Sequence, residues 1–374
     1  MDFIDLKAQQ TRLKEDIDQR MAAVLAHGRY IMGPEVSEFE EKLAKFGAAK
    51  HALSCANGTD ALALCLRAWE IGPGDAVFCP SFTFCATAEV VALVGATPVF
   101  IDIDRETYNM SPESLAKAIS EIKAQGELNP RAVIGVCLFG QAANYPAISK
   151  IAIENGLKLI ADSAQGFGTT INGDQPLKFV DATTTSFFPA KPLGCYGDGG
   201  AILTDDDDLA ENIRSVRNHG AGKDRYDNVR IGVNSRLDSL QAAVLLSKLS
   251  VFSDEIIWRN AAADYYTEQL SGLTSRVPVI KDGITSTWAQ YTIEVEDPDV
   301  LQAALKEQGI PSARYYPKPI HLQSAYKHYP MQGNGLTNTE AAMTRVISLP
   351  MYADLTRDVQ DKVIGGIKIA LNRS

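Results

Sequence analysis

From Asp16 to His27 apolar residues return at helical spacing until Gly28 interrupts them, and Gly33-Pro34 turns the chain before a second, acidic helical stretch from Ser37 to Phe46. Downstream the period changes. The short apolar runs Ala76–Cys79, Thr97–Asp102, Ala132–Leu138 and Leu157–Ala161 suit buried strands, and they alternate with helical stretches near 60–70, 83–93, 112–124 and 146–155. Such alternation predicts a mostly parallel sheet covered by helices on both faces. After Ser235 the pattern is helical to about Trp258; beyond it, helix mixes with one strand-like run, Thr287–Val295. The expectation is an α/β chain in two parts: a large domain over 1–258, including the N-terminal helical segment, and a smaller C-terminal α+β domain over 259–374. Ligands of open α/β sheets bind outside the carboxyl ends of the strands, so the chemistry is expected there.

Composition agrees with two packed domains. The chain has 374 residues, 45% hydrophobic and 22% charged, with no apolar run long enough for a bilayer. Met1–Lys7 mixes acidic with apolar residues and lacks the basic-then-hydrophobic order of an export signal, so a cytoplasmic protein is expected. Cys55, Cys65, Cys79, Cys85, Cys137 and Cys195 form no CxxC pair and no cysteine–histidine cluster, which argues for reduced core thiols and against a structural zinc. A formal charge of −10 argues against a general nucleic-acid binder, because phosphate contacts need a basic surface.

Candidate chemistry gathers in two segments. Lys191 sits in Ser186-Phe-Phe-Pro-Ala-Lys-Pro-Leu-Gly-Cys-Tyr-Gly-Asp-Gly-Gly200, and Asp162-Ser-Ala-Gln165 follows a hydrophobic strand upstream. A lysine amine can form a Schiff base with a cofactor aldehyde, and an acidic side chain can hold a pyridine nitrogen protonated so that the ring draws electrons. The pairing points to pyridoxal phosphate, although a lysine beside glycines is by itself more often a solvated surface residue. Pro192 favours a loop for Lys191 over a helix interior. Gly194, Gly197, Gly199 and Gly200 match neither GxGxxG nor GxxxxGK[ST], so dinucleotide and P-loop readings lack their motifs. Asn57-Gly-Thr-Asp60 opens a predicted helix, where free amides favour a phosphate; a plain helix cap accounts for the same residues.

These segments, with Gly33-Pro-Glu-Val36, Phe82-Thr-Phe84, Asp102-Ile-Asp104, Gly232-Val-Asn-Ser-Arg236 and Ser348-Leu-Pro350, resemble the DegT/DnrJ/EryC1/StrS sugar aminotransferases almost from end to end. The resemblance implies an aspartate-aminotransferase-like fold (fold type I) and pyridoxal 5′-phosphate, with pyridoxamine phosphate as its intermediate form. By resemblance Lys191 is the attachment and proton-transfer residue and Asp162 pairs with the ring nitrogen. Gln165 binds the ring hydroxyl, Phe84 stacks on the ring, and Gly58, Thr59 and Ser186 meet the phosphate. Asn234 reaches it from the neighbouring subunit of a homodimer. Taken alone, Phe84 reads more readily as core, and Asp162 as a helix cap after a strand.

For the substrate end the candidates are Tyr30, Arg236 and the loop Arg314-Tyr315-Tyr316-Pro-Lys318-Pro-Ile-His321, whose guanidinium, phenols and ammonium suit a diphosphate, a uracil or a carboxylate. The resemblance runs nearest to the C-3 aminotransferases that use L-glutamate and UDP-2-acetamido-2-deoxy-3-oxo-glucuronate in bacterial O-antigen (lipopolysaccharide) assembly. A C-4 aminotransferase acting on a UDP-, GDP- or dTDP-linked 4-keto sugar is the alternative, and a non-catalytic sugar-nucleotide-binding or regulatory protein a remote one. Leu237 and Tyr352 depart from residues common in the family, Met and His, without touching the cofactor set.

Overall fold

A computed structural model describes all residues except 225, 334 and 372–374. Three helices open the chain: α1 (Leu6–Arg12), α2 (Lys14–His27) and α3 (Pro34–Phe46). Gly28 ends α2 at φ 69°, a left-handed conformation that a side chain would strain. There follow β1 (His51–Cys55), α4 (Gly58–Ala68), β2 (Asp75–Pro80), α5 (Ala86–Leu93), β3 (Thr97–Ile101), α6 (Pro112–Gln125), β4 (Asn129–Val136), α7 (Tyr145–Asn155) and β5 (Lys158–Asp162). Next come β6 (Thr170–Ile171), β7 (Ala182–Ser186), β8 (Gly200–Thr204), α8 (Asp207–Val216), α9 (Ser239–Leu249) and α10 (Phe252–Leu270). The remainder holds β9 (Ile284–Thr285), β10 (Tyr291–Glu294), α11 (Pro298–Glu307), α12 (Thr337–Met343), β11 (Val346–Leu349) and α13 (Arg357–Leu371).

The main sheet has the order β1-β8-β7-β5-β4-β2-β3. β8 runs antiparallel to both its neighbours, and the other strands share one direction. Successive side chains of a strand point to opposite faces, and the core divides accordingly. Val77, Ile134 and Ile160 pack on one face with α4, α5 and α8, whereas Phe78, Val133 and Leu159 pack on the other with α6 and α7. Burying each such side chain contributes about 1.5–3 kcal/mol, which ties the strands to this register.

The expected α/β architecture is present, with β1, β7 and β8 added to the strands anticipated from sequence. The helical run after Ser235 is two helices, interrupted at Ser250 and Val251. The strand-like run at 287–295 shortens to β10, because Trp288 adopts φ 48° and leaves the extended conformation. The boundary expected after residue 258 falls inside α10. Phe252 and Ile256 at its start pack on the large lobe, while Ala262, Tyr266 and Leu270 join the core of β10, β11, α11 and α13. The later chain also returns to the large lobe, where Ile320 and Leu336 enter the main core and Met331 bridges Phe100. Among the described residues no helix is long and apolar enough to cross a membrane.

Candidate active site

Strands running the same way bring the cofactor candidates to one edge of the sheet. β1 leads into Gly58 and Thr59, β2 into Phe84, β5 ends at Asp162 with Gln165 beyond it, and β7 ends at Ser186, five residues before Lys191. Asp162 is 7% exposed. One carboxylate oxygen accepts the Ala164 N–H at 3.1 Å, and the other accepts the Thr87 hydroxyl at 3.3 Å. Burial raises its pKa; the Ala164 amide, the Lys191 charge and the Thr87 hydroxyl oppose the rise only in part. Lys191 lies in a turn closed by its own N–H to the Phe188 carbonyl at 2.8 Å. Burial lowers the pKa of its amine, against the pull of Asp162. A buried carboxylate with neutral donors and a half-buried amine biased toward its neutral, nucleophilic form are a natural pair for a cationic, carbonyl-bearing ligand.

The start of α4 forms the second part of the site. Asn57 caps the helix by accepting the Asp60 N–H at 2.8 Å, while the first-turn amides of Gly58 and Thr59 have no acceptor within the helix. A Cβ on Gly58 would lie 2.6 Å from the Ser186 Cβ, and one on Gly200 would lie 2.4 Å from the Asn57 carbonyl oxygen. Both glycines therefore let the chain close around this corner. Ser186 Oγ accepts the Phe188 N–H at 3.3 Å and keeps its own proton to donate. The cap reading of Asn57 holds, and the free amides, the positive end of the helix and a hydroxyl at the same corner together suit a phosphate.

Two groups complete the wall. Phe84 is 55% exposed and is not a core residue. Gln165 accepts the Phe139 N–H at 2.9 Å and donates to the Tyr316 hydroxyl at 3.0 Å, which leaves one amide hydrogen for a ligand. Amine, carboxylate, anion corner and exposed aromatic ring fit pyridoxal phosphate group by group. Among the described residues no cluster of three or more His, Cys, Asp or Glu could hold a metal ion.

The substrate candidates do not gather as one loop. Tyr316 reaches the site through Gln165, and Tyr315 packs beside it at 5.7 Å between ring centres, with Phe3 at 6.3 Å from Tyr315. Lys318 is exposed. Arg314 is held by Asp299 at 2.5 Å and by the Met343 carbonyl, so it braces α11 against the end of α12 instead of presenting its guanidinium. His321 is buried, 2.7 Å from the Ser81 hydroxyl, and its backbone N–H donates to the same oxygen at 3.0 Å. It ties the loop to the base of the Phe82–Phe84 segment. Tyr30 and Asn234 are exposed, and Arg236 donates to the Asn218 side chain at 3.2 Å. Sequence reasoning missed Thr83 and Thr87. Hydroxyls four residues apart just after a strand were the available signal.

Residues 11–368 match the model of the DegT/DnrJ/EryC1/StrS aminotransferase family. The chain is 47% identical to the UDP-2-acetamido-2-deoxy-3-oxo-D-glucuronate aminotransferase of Pseudomonas aeruginosa over 94% of this chain and 95% of that protein. It is 38% identical to the dTDP-3-amino-3,6-dideoxy-alpha-D-galactopyranose transaminase of Aneurinibacillus thermoaerophilus over 98% of both. A crystal structure of a DegT DnrJ EryC1 StrS aminotransferase from Brucella abortus superposes with a TM-score of 0.97, at 52% identity and 98% coverage of both chains. NtdA from Bacillus subtilis, solved with bound cofactor PMP, gives a TM-score of 0.88 at 30% identity, covering 96% of this chain and 82% of that one. The chain belongs to the DegT/DnrJ/EryC1/StrS aminotransferase family, and it is a pyridoxal-phosphate-dependent transaminase.

Proposed function

We propose that the protein transfers the amino group of L-glutamate to C-3 of UDP-2-acetamido-2-deoxy-3-oxo-glucuronate. Pyridoxal phosphate, when bound, supplies an aldehyde that accepts the amino group and a ring that withdraws electrons. The chain's own residues do the rest. Lys191 would attach the cofactor, and its amine, which burial biases toward the neutral form, would serve as the acid and base that moves the proton at the reacting substrate carbon. Asp162 would pair with the protonated ring nitrogen, Gln165 would hydrogen-bond the ring hydroxyl, and Phe84 would pack on the ring. Gly58, Thr59 and Ser186 hold the phosphate.

The observation that carries the catalytic half is a half-buried Lys191 amine, within electrostatic reach of a buried Asp162 with neutral donors, at the edge that also holds the Gly58–Ser186 corner. The substrate half is supported by the 47% identity to an enzyme named for that sugar. Arg236 and Tyr30 are proposed to meet the sugar nucleotide, together with Tyr315, Tyr316 and Lys318. Asn234, exposed and outside the assembled cradle, is proposed to complete the phosphate site of a second subunit in a homodimer. All six cysteines are free, as suits a reducing cytoplasm, and the product would enter O-antigen assembly.

Incubation of the protein with L-glutamate and the UDP-linked 3-keto uronate, followed by mass spectrometry, tests this reading. An aminated uronate is the expected product. Efficient amination of a dTDP-4-keto-6-deoxy sugar with the UDP ketone ignored contradicts the substrate assignment.

A further inference from the structure

Asp162 is gripped from both sides, and one grip comes from a pair of hydroxyls with no other assigned task. Thr87 Oγ1 lies 3.3 Å from an Asp162 oxygen, and the Thr83 hydroxyl lies 3.3 Å behind it. Both threonines are almost fully buried, so water does not compete for these bonds. An ionised carboxylate only accepts hydrogen bonds. The single Thr87 proton therefore goes to Asp162, and the Thr83 proton goes to Thr87, which makes a one-way chain of donors ending on the carboxylate. Thr87 sits in the first turn of α5, so the positive end of that helix lies on the same side. Its β-branched side chain leaves few χ1 rotamers, and in the one adopted the hydroxyl faces Asp162.

We propose that Thr87, backed by Thr83, is a positioning residue that keeps the Asp162 carboxylate ionised and oriented for the ring nitrogen of the cofactor. The proposal rests on the role given to Asp162 above. Removing the donor leaves a carboxylate oxygen buried without a partner, which favours its neutral form and weakens its hold on a proton at the ring.

The test uses the holoenzyme loaded with pyridoxal phosphate labelled with ¹⁵N in the ring, and follows ring protonation by NMR across pH for wild type, Thr87→Val, Thr87→Ser, Thr83→Val and Asp162→Asn. In Thr87→Val the pH at which half the ring nitrogens carry a proton is expected to fall by about one, a tenfold loss. The reaction with L-glutamate, followed by rapid mixing, should slow about tenfold as well. Thr83→Val should move both in the same direction by less, and Thr87→Ser should restore both. If Thr87→Val titrates like wild type while Asp162→Asn is altered, the proposal falls and the Asp162 assignment stands. If Asp162→Asn also titrates like wild type, both fall. Equal losses in Thr87→Val and Thr87→Ser would assign the effect to packing and overturn the proposal.

Discussion

Asp162 and Glu294 are both carboxylates taken out of water, and the protein treats them in opposite ways. Glu294, at the end of β10, is 3% exposed. It accepts from Arg105 at 2.9 Å, Arg276 at 2.5 Å and the Tyr108 hydroxyl at 2.7 Å, with Arg345 at 3.6 Å. Burial disfavours its charge, yet these partners outweigh it and the pKa lies below the ordinary glutamate value. Asp162 receives one amide and one hydroxyl, and its pKa lies above the ordinary value. Glu294 is answered within the chain and joins the Arg105–Tyr108 segment of the large lobe to the strands of the small one. Asp162 is stabilised only in part by its own chain, which supports the proposal that its full partner is a protonated cofactor ring.

The largest effect should come from the answered carboxylate. Glu294→Gln removes the charge that three guanidinium groups share and is expected to cost about 3 kcal/mol, the low end for breaking a buried pair because those groups keep some water. Urea unfolding of the cofactor-free protein measures it. A loss below about 0.5 kcal/mol would mean that the cluster holds little together.

Arg236 sharpens the contrast from the cationic side. Among the described residues its side chain bonds Asn218 and pairs with no carboxylate, so Arg236→Ala should leave the midpoint of unfolding nearly unchanged. Losing a charge-assisted bond to a bound anion costs about 1.5–3 kcal/mol, so use of the sugar nucleotide should weaken roughly ten- to a hundredfold. The reaction with L-glutamate should change little. Unaltered sugar kinetics would remove Arg236 from the substrate site.

Asp162 predicts an effect of the opposite sign. A carboxylate with a raised folded-state pKa contributes stability that is complete below its unfolded pKa and is lost as pH rises through the folded value. Glu294, with a depressed folded pKa, contributes stability above its unfolded pKa that is lost as pH falls through the folded value. Asp162→Asn should therefore stabilise the cofactor-free protein at neutral pH, and the gain should vanish in acid. The penalty of Glu294→Gln should shrink toward low pH instead. Thermal melts of both variants at pH 4 and pH 7.5 check the signs, and parallel pH curves would break the comparison.

How much of this was legible in the sequence follows from how far apart the partners lie. Asp162, Gln165, Ser186 and Lys191 fall on two short segments at strand ends, where the chemistry is carried by neighbours in the chain. Arg314 and His321 were read as ligands from the composition of their loop, but their roles are set by Asp299, Met343 and Ser81, which only the fold brings near. The Glu294 cluster draws on residues 105, 108, 276 and 345 and leaves no local pattern. β7 was missed because its core-facing run is threonine, whose hydroxyls mask a strand otherwise written in β-branched residues.

The assignment of Lys191 is the centre of the account, and borohydride reduction of the protein with its cofactor, followed by peptide mapping, tests it most directly. Lys248 is the informative competitor, since it is more deeply buried than Lys191 and burial lowers its pKa to about 8. The account predicts the pyridoxyl label on the peptide containing Lys191, and none in Lys191→Ala. A label on Lys248, or on any lysine other than Lys191, would contradict it.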